Sequence, residues 1–236
     1  MNGPTKPVLL ISGAAEGFGA SLAGTFAVAG YDIVGLARSD RAAAALTRAA
    51  SAGGGAYTHL PCDITQAAAV ADVLQPCADR IDVLVHNAQT LLIKPFGETS
   101  TAEFEQVWRV ACFGAMAVAR IVLPHMVARR NGAIILSGAT AGRRGGAKFS
   151  AFASAKFALR GLAQSLSREF GPQGVHVAHV VLDGLIDEAQ SDQRFGPSQS
   201  ARMQPDALAR AYLGLAEQHP SAWTHELDLR PFSEQY

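Results

Sequence analysis

The sequence predicts an α/β domain built on a doubly wound parallel sheet with helices on both faces, and three observations carry that prediction. Short apolar runs of strand length alternate with alanine-rich runs of helical length along the whole chain. A glycine-rich turn joins the first of each. No linker, internal repeat or low-complexity tract divides the chain, so residues 1–236 read as one domain, and 49% hydrophobic content suffices for a large core.

Each element follows from its local pattern. "PVLLISG" is an apolar run bounded by glycine and reads as a buried strand; "FGASLAGTFAVAG" is a helix that stops at Gly30, and "YDIVGLAR" is the second strand. "DRAAAALTRAASA" is dominated by the best helix former, "AYTHLPCDI" reads as a strand, "TQAAAVADVLQPCADR" as a helix and "IDVLVHNA" as the fourth strand. Ser100 and Glu103 have capping-box spacing and open a long helix toward Val127, after which "NGAIILSGAT" gives strand five. A helix from about Lys148 to Phe170, the strand "GVHVAHVVLDG", the helix "PDALARAYLGLAEQ" and the strand "HELDLRP" complete seven strands. The stretch from about Asp187 to Gln204 has no regular pattern and reads as a lid over a pocket.

Composition excludes several function classes. Lys plus Arg and Asp plus Glu both number 20, so no net field draws the chain to nucleic acid or an anionic membrane. The N-terminal apolar run is too short to span a bilayer and lacks a cleavage pattern, so the expected location is the cytoplasm. Cys62, Cys77 and Cys112 are odd in number and widely spaced, which argues against a disulfide framework and a zinc site. His176 and His179 lie close in sequence, but their odd separation on a strand points them to opposite faces, so no metal site is expected.

The turn "SGAAEGFG" carries glycines at 13, 17 and 19 between the first strand and the first helix. There the chain needs positive φ, close approach to a ligand, and tight packing of helix on strand, while free N–H groups at the helix start face an anion. Together with "HNAQ" after strand four and "FASAK" after strand five, this spacing resembles the short-chain dehydrogenase/reductase family, over nearly the whole chain. The resemblance implies a single Rossmann-type domain binding a nicotinamide dinucleotide along the carboxyl ends of the strands. It implies that Gly13, Gly17, Phe18 and Gly19 line the pyrophosphate turn, Asp63 and Ile64 the adenine, and Asn87 and Ala88 the adenosine ribose side, with Gly184 after strand six also on the cofactor. Arg38 ends strand two, where an arginine matches a ribose 2′-phosphate, so NADP(H) is favoured over NAD(H). Arg41 stands close by, Glu16 would repel a phosphate, and an ordinary solvated role for Arg38 remains the alternative.

The same resemblance exposes what is missing. Family chemistry uses an asparagine, a serine, a tyrosine and a lysine; the matching positions here are Ala111, Ala139, Phe152 and Lys156. The proton relay is gone, although phenylalanine and alanine keep the shape of tyrosine and serine. General acid catalysis and one oxyanion donor together account for about 5–9 kcal/mol, so ordinary ketone reduction is expected to be very slow. Among nearby hydroxyls, Ser137 shares strand parity with position 139 and is expected to reach the pocket, whereas Thr140 is expected to point away. Asp183 and Glu188 are candidate replacement acids, since a buried carboxyl can stay protonated and donate. Lys156 lies in an apolar setting where a lone charge is expensive, so a cofactor ribose is its expected partner.

Three readings follow. The first is an atypical NADP(H)-dependent oxidoreductase acting on a small organic acceptor that needs no protein acid. The second is a catalytically silent cofactor-binding or regulatory protein; the third is a non-redox isomerase, lyase or cyclase. By resemblance, the helices Thr101 to Val127 and Lys148 to Phe170 would pair across a twofold axis, giving a homodimer or homotetramer.

Overall fold

The computed structural model describes residues 5–197 and 201–233. Seven strands form one sheet: β1 (Val8–Ser12), β2 (Asp32–Ala37), β3 (Tyr57–Pro61), β4 (Ile81–His86), β5 (Ala133–Ser137), β6 (His176–Leu182) and β7 (Glu226–Leu229). Their spatial order is β3-β2-β1-β4-β5-β6-β7, and every pairing is parallel. The chain therefore winds outward from β1 to β3, returns to the other side of β1, and winds outward again. That reversal places a crevice between the carboxyl ends of β1 and β4, where ligands of open α/β sheets bind.

Helices cover both faces: α1 (Phe18–Val28), α2 (Ala43–Ala52), α3 (Ala67–Leu74), α4 (Thr101–Trp108), α5 (Gly114–Ala128), α6 (Ser150–Phe170), α7 (Ala189–Phe195) and α8 (Pro205–Ala216). The alternation along β1 shows why both faces need cover. Leu9 and Ile11 pack with Phe18, Leu22 and Phe26 of α1 and Tyr212 of α8, whereas Val8 and Leu10 pack with Val118 and Val122 of α5 and Leu159 of α6. All five residues of β1 are buried, so its continuous apolar run is what a two-sided parallel strand requires. Each fully buried leucine or isoleucine contributes about 1.5–3 kcal/mol relative to exposure.

Two elements depart from the sequence reading. The long helix after the Ser100–Glu103 capping box contains one π-helical turn, Arg109–Phe113, between α4 and α5. The span Thr101–Ala128 is apolar and long enough to cross a membrane by composition, yet α5 within it packs its apolar face against the sheet. The stretch from Asp187 to Gln204 is not wholly irregular, because α7 lies within it; its residues 198–200 fall outside the described residues.

Candidate active site

A cleft of about 760 Å³ opens at the reversal point, lined by Gly13, Gly17, Phe18, Arg38, Asp63 and Asn87, among others. Two glycines there are dictated by geometry. Gly13 has φ +87°, and a Cβ on it would stand 2.6 Å from the backbone of Ala88, so β1 and β4 can approach only if no side chain intervenes. Asn87 N–H donates to the Ser12 carbonyl at 2.8 Å and fixes the same junction. Gly17 has φ +72°, and a Cβ there would meet the Glu188 side chain. Gly19 differs from expectation. It is buried in the first turn of α1, where a Cβ would make only ordinary contact with Ala14, so it supports the turn without lining the cleft.

At the far end, Arg38 and Arg41 are exposed and line the cleft, together with Glu16. Ile64 is buried against Gly114, and Asp63 Oδ1 accepts from the backbone N–H and hydroxyl of Thr65 at 3.0 and 2.8 Å. These contacts hold the β3 exit in place. Ala88 and Asn87 complete the β4 rim.

A second cavity of about 610 Å³ adjoins the first, and Gln89, Leu182, Ile186, Glu188 and Gln190 line both. Phe152 and Ala139 form part of its wall. The three positions expected to have lost polar groups come together: Phe152, Ala139 and Ala111 share one apolar cluster with Val107, Ala151 and Ala155. Gly184 lines this second cavity rather than the first, with its Cα packed near Pro231.

Behind that wall lies a polar layer. The π-helical turn directs the Ala111 carbonyl to His86, whose Nε2 stands 3.1 Å away, while Nδ1 is 3.1 Å from Ser12 Oγ. A carbonyl only accepts, so Nε2 carries the proton and Nδ1 accepts from the Ser12 hydroxyl. Burial, reinforced by the Lys156 charge, lowers the His86 pKa to about 3. On the other side, Arg160 of α6 donates twice to Glu226 of β7, both at 2.7 Å, and Glu226 also accepts from His179 Nδ1 at 3.1 Å.

Five side chains weighed for catalysis each have a hydrogen-bond partner within the fold. Lys156 is 1% exposed and lines neither cavity; its Nζ donates to the Ser137 carbonyl at 2.8 Å, with the Phe152 ring centroid 5.6 Å away. A backbone carbonyl thus satisfies the group for which a ribose was expected, and burial lowers its pKa to about 7. Ser137 does not reach the pocket: its hydroxyl lies 2.9 Å from the Tyr212 hydroxyl of α8, fully inside the fold. Thr140 faces the cavity instead, because the chain leaves β5 at Ser137 and enters a 3₁₀ turn at Thr140–Gly142, where strand parity no longer applies. Asp183 lines the cavity, where it accepts from the Thr140 hydroxyl and pairs with Arg230 at 3.3 Å. Glu188 lines both cavities, and its Oε2 accepts from the Phe18 N–H at 3.2 Å, at the start of α1. Burial raises its pKa and the Phe18 N–H pulls it back down.

The sequence reading did not anticipate the Asp183–Arg230 pair, the His86 bridge, or the guanidinium groups of Arg144 and Arg194 on the second cavity. His86 stands immediately before Asn87, which is the one signal that could have drawn attention to it.

A glycine-turned cleft at the reversal of an all-parallel, doubly wound sheet, running into a second pocket, is the architecture of nucleotide-dependent α/β oxidoreductases. Comparison with known proteins narrows the class. The sequence profile described as short chain dehydrogenase matches residues 7–195. A solved short-chain dehydrogenase from Rhodopseudomonas palustris superposes with a TM-score of 0.82 at 33% identity, covering 97% of this chain and 100% of that one. A metagenomic short-chain oxidoreductase solved in complex with NADP gives a TM-score of 0.82 at 27% identity, covering 97% and 98%. The fatty acyl-CoA reductase of Acinetobacter baylyi is 30% identical over 167 residues, 69% of this chain but only 57% of that relative's length. The chain belongs to the short-chain dehydrogenase/reductase family.

Proposed function

We propose that the chain is an NADP(H)-dependent oxidoreductase whose acceptor is already activated toward hydride, such as an iminium, a quinone or a conjugated alkene. The observation that carries this reading is the continuous pair of cavities, one with the cofactor turn intact and the other walled by Phe152 and Ala139. The residues present suit a dinucleotide: the glycine turn opens the start of α1 onto the cleft, and Arg38 with Arg41 offers guanidinium groups for a 2′-phosphate. The NADP complex of the metagenomic relative supports the same choice of cofactor.

When bound, the cofactor supplies the hydride. The protein's part is to orient the acceptor and exclude water, with Phe152, Phe149, Leu91 and Ile186 forming apolar walls. No side chain on the Phe152–Ala139 wall transfers a proton, so any proton reaches the product from water. Lys156 acts as a positioning residue, pinning α6 to the end of β5 through the Ser137 carbonyl.

Calorimetric titration with NADPH and NADH tests the cofactor, and no binding of either at millimolar concentration would remove the redox reading. The combined variant Phe152→Tyr, Ala139→Ser and Ala111→Asn tests the pocket. It is expected to gain ketone reduction that the parent lacks, because the three side chains already converge on one cluster.

A second reading, a catalytically silent cofactor-binding protein, is favoured by that same apolar cluster; a parent that binds NADPH yet reduces none of the three activated acceptor classes would select it. We also propose a cytoplasmic location, consistent with three free cysteines, and a homo-oligomer paired through α4, α5 and α6, where Trp108 and Phe157 are 39% and 45% exposed. Light scattering on the purified chain tests the assembly.

A further inference from the structure

We infer that Glu188 is an intramolecular competitor of the cofactor's diphosphate, holding the anion position at the start of α1 until it is neutralised or displaced. This rests on the cofactor reading above for the identity of the incoming ligand, but its geometry belongs to the chain alone. The first N–H groups of a helix have no partner within it and attract an anion. In α1 the first helical residue is Phe18, and its N–H is taken by Glu188 Oε2 at 3.2 Å across 170 residues of sequence.

Two further facts show that the contact is specific. Glu188 precedes α7 at the N-cap position, yet its side chain makes no capping bond to its own helix and reaches α1 instead. At Gly17, a Cβ would stand 2.2 Å from Glu188 Oε2, so only glycine at that position lets the carboxylate in. The glycine that would admit a diphosphate admits this carboxylate.

The surrounding charges leave the carboxyl to that one hydrogen bond. Glu16, Arg38 and Arg41 line the same cleft, Asp187 is engaged by Gln204, and Arg194 donates to the Leu91 carbonyl; among the described residues none pairs with Glu188. Two anions cannot share one set of N–H donors, so a diphosphate ligand meets a like charge that a ligand without phosphates does not.

The test compares the parent with Glu188→Gln and Glu188→Thr. Calorimetry with inorganic pyrophosphate and with NADPH, at one mildly alkaline pH, reads the competition directly. Both variants are expected to bind each ligand about tenfold more tightly, because the like charge at the start of α1 is gone. In the parent, the Phe18 amide resonance should move as the carboxyl titrates, and it should stay fixed in Glu188→Gln; thermal melting confirms that the variants fold. Pyrophosphate affinity within twofold of the parent in both variants, or no detectable pyrophosphate binding in any of the three proteins, overturns the inference. Tighter pyrophosphate binding in the variants with no NADPH binding anywhere keeps the competitor and removes the NADP(H) reading. Equal NADPH and pyrophosphate binding by all three does the reverse.

Discussion

Lys156→Met isolates the cost of the buried ammonium behind the Phe152 wall. Burial lowers the pKa of Lys156 from its ordinary 10.5 to about 7 in the folded protein. The unfolded chain therefore holds one more proton than the native chain between those two values, and native stability rises with pH across that window. Each unit corresponds to about 1.4 kcal/mol, so the full penalty, present below about pH 7, is at most about 5 kcal/mol. Methionine fills similar volume and removes the charge, at the loss of one hydrogen bond to the Ser137 carbonyl worth about 1 kcal/mol. Urea unfolding of parent and variant at about pH 7 and about pH 8.5 gives the comparison, because the cysteines that begin to titrate there do so alike in both proteins and cancel in the difference. The parent should gain about 2 kcal/mol relative to Lys156→Met across that interval, and the variant should be the more stable of the two at neutral pH. Parallel pH dependence, differing by less than about 0.5 kcal/mol, would refute the claim that Lys156 is buried at a cost.

Other consequences are as direct. Burial lowers the pKa of His86 to about 3 and that of His179 to about 4, against the opposing pull of Glu226 on His179. The unfolded chain takes up these protons first, so stability falls as pH drops below about 6.5, by about 1.4 kcal/mol per unit for each histidine. His179→Gln should remove one histidine's share of that slope, up to about 1.4 kcal/mol per unit, in equilibrium unfolding between about pH 6 and about pH 4.5. Gly13→Ala places a methyl group 2.6 Å from the Ala88 backbone at φ +87°, and should cost about 2–3 kcal/mol in denaturant unfolding and abolish NADPH binding in calorimetry.

The fold was legible because a two-sided parallel sheet writes itself as continuous apolar runs, and β1, β4 and β5 are such runs. The glycine turn was legible because Gly13 and Gly17 answer a backbone requirement, while Gly19 answers a weaker one. The π-helical turn at Arg109–Phe113 left no trace, since "RVACF" holds no glycine or proline to mark it. Strand parity misplaced Ser137 and Thr140 because alternation holds only while the strand continues, and β5 ends at Ser137. For Lys156 the apolar setting was legible but the Ser137 carbonyl was not, because every strand end offers a carbonyl that sequence does not advertise. The reach of Glu188 to Phe18 joins residues 170 apart, and no local spacing encodes it.

The Glu226 carboxylate has an effect beyond the two groups it touches. Arg160 stands one helical turn after Lys156 on α6, so the grip of the last strand on that guanidinium holds the helix that carries Phe152. Clipping the chain ahead of Trp223 would strand a cation and an imidazole with nothing to face. The final short strand is therefore a latch that ties α6 to the edge of the sheet.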